Sequence, residues 1–234
     1  MEAKPADFFI GVADLFAILL PGALLTFMAV ETAAHYDWVA RYTLGSIRHF
    51  REGSAEGWLA FAISSYLLGH LASLIGAFFL DPQHLKTKVR SHKVTHNGDR
   101  LFGLALHRRN ETLKLRDDCT DTDNPTPYKW ARMSLRLKNS GAMQEIDRLE
   151  ADSKFFRSVT VVLVIFALGT VCEAISQQGT ERGALLRGAS RALVCFVFAR
   201  LSFWRFSDLR WKAAEAAYLA AVTSESAPPV RPPA

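Results

Sequence analysis

The chain has 234 residues, half of them hydrophobic, with 28 Lys and Arg against 23 Asp and Glu for a formal charge of +5. The average is ordinary for a globular protein, but its distribution is not: apolar residues bunch into a few runs and charges fill the gaps. The three cysteines, Cys119, Cys172 and Cys195, lie far apart, which excludes a disulfide framework or a zinc signature built from them alone.

Residues 1–7 carry Glu2, Lys4 and Asp7, and Phe8–Val30 then runs 23 residues with Asp14 as its single charge. A secretory signal is the competing reading, with Thr32-Ala33-Ala34 as a weak cleavage site. The run exceeds the usual apolar core of about 7–15 residues, and its flank holds only one positive charge, Lys4. It is therefore expected to be a first span, kinked at Pro21-Gly22, where proline removes one ladder bond and crowds the preceding turn. Glu31–Gly57 mixes aromatics with basic residues, as an interfacial amphipathic segment or an interhelical loop does.

Trp58–Leu80, the second expected span, holds 23 residues without a formal charge. At about 1.5 Å per residue it reaches about 34 Å, enough for a hydrocarbon core of about 30 Å. Trp58 opens it at interface depth, and Asp81-Pro82 is expected to stop it. Asp81–Lys154 is charged sequence, long enough for a small domain. Within it, His84–His96 and Leu101–Leu115 fit helix or short strands, and Asp117–Asn124 reads as an acidic loop. Pro127–Lys138 is predicted as a short helix, because proline suits a first turn and Asn139-Ser140-Gly141 follows. From Ala142, Met143, Ile146 and Leu149 recur every third residue and lead a helix into the third span, 155–175. The fourth, 184–204, is interrupted by Arg187, Arg191 and Arg200 and continues as helix to Val222, with Trp204, Trp211 and Tyr218 at heptad spacing. The Pro-rich end, 223–234, is expected to be disordered.

These elements predict an all-α membrane protein: four transmembrane helices in two hairpins, with a small, mostly helical cytoplasmic domain between them. The hairpins are 1–80, with spans 8–30 and 58–80, and 155–204, with spans 155–175 and 184–204. The cytoplasmic domain is 81–154, and a cytoplasmic helix occupies 205–222. Threading N-in and C-in puts 22 of the 28 Lys and Arg on one side. Lys86, Lys88, Arg90 and Lys93 flank span two there, and Lys154 and Arg157 flank span three.

The candidate site residues are weak signals. His92 and His96 would share a helical face, as helical metal sites do, but the general-base glutamate of the zinc-hydrolase motif is missing; a basic segment beside lipid headgroups explains them as well. Asp117-Asp118-x2-Asp121 matches a Mg²⁺-diphosphate motif in spacing only. His70 sits mid-span one turn after Tyr66, either packing or serving a proton, ion or catalytic role. Ser65, Gly69, Ser73 and Gly76 form a small face for close helix packing or self-association. Asp14, Glu173, Arg191 and Arg200 are costly in lipid, so they are expected to face inward as the pairs Asp14–Arg200 and Glu173–Arg191; snorkelling of Arg200 is the rival.

No cofactor is implied. The expected function is a non-enzymatic inner-membrane component, a sensor, effector or scaffold, that oligomerises and docks a cytoplasmic protein; lipids are the other partner and nucleic acid is not expected. An enzyme acting on a lipid-type substrate and an ion- or proton-conducting assembly are the alternatives. The outline resembles small transmembrane effectors of bacterial defence systems, in architecture alone.

Overall fold

The structure, a computed structural model, describes residues 5–35, 55–91, 96–113, 126–138, 140–177 and 183–226, with the side chains of 15–30, 55–81, 100–113, 126–137, 141–175, 183 and 185–224. Among the described residues all regular structure is helical: α1 (Pro5–His35), α2 (Ala55–Ser91), α3 (His96–Leu113), α4 (Pro127–Lys138), α5 (Ser140–Gln177) and α6 (Ala184–Ser226). Of the four expected spans, two helices are long and apolar enough to cross a bilayer among the described residues, not four: the stretches Ala55–Asp81 of α2 and Gly141–Ile175 of α5. Over its described side chains α1 contributes a shorter apolar stretch, Leu15–Val30. Arg187, Arg191 and Arg200 keep the first part of α6 below that level of apolarity.

The helix boundaries follow local chemistry. Thr126 caps α4: its carbonyl accepts the Trp130 N–H at 2.9 Å and its hydroxyl the Lys129 N–H at 3.4 Å, with Pro127 in the first turn. Gly183, at φ 94°, precedes α6, and its carbonyl takes the Arg187 N–H at 3.1 Å. The left-handed conformation there is one that glycine adopts without a Cβ clash. Asp81-Pro82 does not end α2, contrary to expectation, and the helix continues to Ser91. Proline removes one ladder bond, but its fixed φ suits a helix, so continuation is permitted. Likewise α1 carries Pro21 inside it.

The chain divides into two units. One comprises Met1–Ile10, Gln83–Glu150 and Asp208–Ala234, the other Gly11–Pro82 and Ala151–Ser207. The first has a conventional core in which Trp130, Ala131 and Leu135 of α4 meet Met143 and Ile146 of α5, Ala105 of α3, and Ala217, Tyr218 and Ala221 of α6. Tyr218 is ringed edge-on by Phe102 and Tyr128, at centroid distances of 6.0 and 6.3 Å. Alanines along α6 let the helices approach, and the aromatics fill the space that remains.

The second unit is built the other way round. Much of its interior is small and polar: Ala17, Thr26, Ser65, Ala72, Ser158, Thr160, Thr170, Ala174, Ala199 and Ser202 are all buried, with Val161, Val162 and Phe206 as the larger apolar side chains among them. Most of its large apolar side chains point outward, among them Leu20, Phe27, Leu67, Leu74, Phe78, Leu168, Leu193 and Phe196. Only 22% of the most apolar window of α2 and 39% of that of α5 is buried.

Candidate functional site

Close helix approach defines the second unit. A Cβ on Gly22 would overlap the Ser65 carbonyl oxygen, and one on Gly69 would overlap that of Ile18. The two glycines thus let the α1 and α2 backbones touch. The Thr26 hydroxyl donates to the Gly22 carbonyl at 2.9 Å, and the Ser65 hydroxyl donates to Thr26 Oγ1 at 3.3 Å, so the seam is polar as well as tight. The remaining small residues of α2 face α5. Arg157 runs its stem past Gly76, where a Cβ would lie 2.9 Å from Arg157 Cγ. Its Nη1 donates to both carboxylate oxygens of Asp81, at 3.1 and 3.2 Å, and its Nη2 to the Ser73 hydroxyl at 3.1 Å. Ser65, Gly69, Ser73 and Gly76 are thus met by α1 and α5 of the same chain. On α6, Ser202 donates to the Phe156 carbonyl at 2.9 Å, and Gly188 sits so close to Ala174 that a Cβ would overlap it.

The structure distributes the sequence-derived candidates unevenly. His70 is half-buried and packs edge-on against Tyr66 at 4.5 Å between ring centres, a contact suited to aromatic packing. Glu173 is half-buried and is not without a partner. The expected inward turn of Arg191 and Arg200 is corrected, because both are exposed. The Arg200 guanidinium lies 5.9 Å from the Phe203 ring, an aromatic partner beside an apolar surface. The side chains of Asp14 and His96 and the whole of His92 lie outside the described residues, as does the acidic stretch 117–124. Among the described residues no group of three or more His, Cys, Asp or Glu side chains could hold a metal.

The densest polar cluster among the described residues involves none of those candidates. Glu150 of α5, 8% exposed, accepts the Tyr128 hydroxyl of α4 and pairs with Arg132 at 2.9 Å. Arg132 reaches Asp147 at 2.7 Å, and Arg210 of α6 lies 3.9 Å from Glu150. One carboxylate thus ties three helices of the first unit together. The Arg132 Nε is buried without a hydrogen-bond partner, as is that of Arg157 in the second unit. Burial, then the Glu150 hydrogen bond and charge, push the Tyr128 phenol far above its ordinary 10.0, against a smaller opposing pull from Arg132 and Arg210. Burial alone raises Tyr218.

Both phenols keep their protons in the folded state to higher pH than in the unfolded chain. The stability this lends is whole below pH 10, their unfolded value, and is lost as pH rises beyond it. Thermal unfolding compared at about pH 9 and about pH 11 should show a lower Tm at the higher pH. Tyr128→Phe should shrink that drop. A drop of equal size in the variant would remove Tyr128 as a source.

The contacts that sequence reasoning misses differ in how legible they are. Asp81 and Arg157 lie at matching ends of consecutive apolar runs, and the depth matching applied to Asp14 and Arg200 would pair them. Glu150 and Arg132 lie on helices of a charged segment, where many pairings fit equally well. No protein-family model matches the chain, and neither curated proteins nor solved structures give a match. Its function is therefore inferred from the chain's own chemistry.

Proposed function

We propose that the chain is a multi-pass protein of the inner membrane, with α1, α2, α5 and α6 crossing the bilayer and both termini in the cytoplasm. The observation that supports this is the polarity of the second unit, with most of its leucines and phenylalanines outside and many serines, threonines, glycines and alanines within, beside a small apolar cluster at Val161 and Val162 and the buried Phe206. In water such a surface would aggregate; in lipid, small residues at the contacts and large ones on the outside are the expected arrangement. On this reading α6 crosses despite its arginines because they lie exposed, where long stems can carry their charges toward headgroups. The excess of Lys and Arg on one side sets the orientation.

Within that architecture the protein acts as a non-enzymatic component, a sensor, effector or scaffold, whose cytoplasmic unit docks a protein partner. The polar clusters favour this role, since their bonds run between helices of the chain and leave a braced frame. Any self-association uses surfaces other than the small face of α2, which α1 and α5 occupy. A reporter fused after Val222 should read cytoplasmic and one inserted at Gly53 external. If insertions at 53 and 120 report the same side, the four-span reading fails. Alkaline carbonate washing of membranes should leave the chain in the pellet, and its release would remove the membrane reading altogether.

A further inference from the structure

On α4 the buried positions are Trp130, Ala131 and Leu135, and the opposite face is left outward. That outward face carries Lys129, Met133, Arg136 and Leu137, which fall within about 100° of one another at 3.6 residues per turn. Leu137 is 89% exposed and Met133 61%, the former the most exposed large apolar side chain among the described residues. The helix Pro127–Lys138 has four basic residues and no acidic one. Arg132 is committed to Asp147 and Glu150, whereas among the described residues neither Lys129 nor Arg136 has an acidic partner.

We propose that this face docks an acidic amphipathic helix of a cytoplasmic protein partner, an assignment that rests on the docking role given above to the first unit. Two apolar side chains one turn apart are the anchors such a groove-and-helix contact uses, and methionine adapts to differently shaped partners. The flanking Lys129 and Arg136 select acidic residues on the incoming helix and reject basic ones by like-charge repulsion. An anionic lipid surface is the poorer occupant, because headgroup recognition uses clusters of about 4–8 cations and this face offers two.

The test uses the full chain in lipid nanodiscs and a fluorescent synthetic helix with leucines at i, i+3, i+4 and i+7 and glutamates between them, its anisotropy reporting binding. A second peptide, with lysines for the glutamates, is the control. The acidic peptide should bind and the lysine peptide should not. Met133→Ser with Leu137→Ser should weaken binding about tenfold or more, as loss of two central anchors does. Lys129→Gln with Arg136→Gln should remove most of the salt dependence. All four positions are outward, so each variant should keep the wild-type elution and helical content.

Unchanged affinity in the serine variant would overturn this face while leaving the docking role standing. Failure of the acidic peptide to bind at all, or equal binding of the lysine peptide, would overturn the partner chemistry itself. A particle mass that falls by one chain in the serine variant would make the face a contact between copies and overturn the proposal.

Discussion

Gly69→Val should leave little folded protein. The added Cβ would lie 2.0 Å from the Ile18 carbonyl oxygen, and a helix backbone cannot swing aside as a flexible side chain can. Relief requires α1 and α2 to separate, which breaks the Ser65–Thr26 hydrogen bond and opens the seam at Gly22 as well. Overpacking commonly costs about 1–3 kcal/mol, and a clash with main chain belongs at or above the top of that range. That is a large part of the stability of a domain, about 5–15 kcal/mol. The natural control is Gly169→Val, where a Cβ would meet nothing within 4 Å. Fluorescence-detected elution in detergent and the thermal midpoint of the purified protein should separate the two. If Gly69→Val elutes and melts like Gly169→Val, the close seam does not exist.

A second large loss is expected in the other unit. Glu150→Ala strands the Tyr128 hydroxyl, removes one partner of Arg132 and takes away the carboxylate facing Arg210. Breaking a buried ion pair from one side costs about 3–5 kcal/mol. Here Arg132 keeps Asp147 and is 25% exposed, so a loss of about 2–4 kcal/mol is expected. Glu150→Gln should fall between alanine and wild type, because the amide still accepts the phenol hydrogen but carries no charge. Replacing the pair together, as Arg132→Met with Glu150→Leu, should cost less than the sum of the single losses. Urea titration of the far-ultraviolet signal would measure the series. A Glu150→Ala midpoint equal to wild type would mean that the three helices are held by their apolar contacts alone.

Much of the helical layout is legible in the amino-acid sequence, because it rests on local signals. Pro127 and the Asn139-Ser140-Gly141 turn bound α4, and the three-residue repeat of Met143, Ile146 and Leu149 carries α5 unbroken into its apolar half. The continuation of α6 well past Trp204 follows from its heptad-spaced aromatics. Where sequence reasoning errs, the physics is less local. Asp81-Pro82 has the chemistry of a stop, yet the Asp81 carboxylate is the partner of a cation 76 residues away. The cost of charge in lipid argues for inward positions of Arg191 and Arg200, whereas both are exposed, as long side chains that can carry a charge away from an apolar surface are free to be. The Glu150 cluster depends on which faces of α4, α5 and α6 meet, and periodicity in a charged segment does not encode that choice.

The core around Trp130 has a consequence for the order in which the protein is made. Three of its helices, α3, α4 and the start of α5, leave the ribosome early, but Ala217, Tyr218 and Ala221 come from the far end of α6. At about 5–20 residues per second, the roughly 70 residues between Ile146 and Tyr218 take some 4–14 s to synthesise. Through that interval Leu135 and Ile146 have no Tyr218 to close over them. The nascent chain therefore carries an uncovered apolar surface while its last helices are still being translated, and that is the window in which a chaperone would find it.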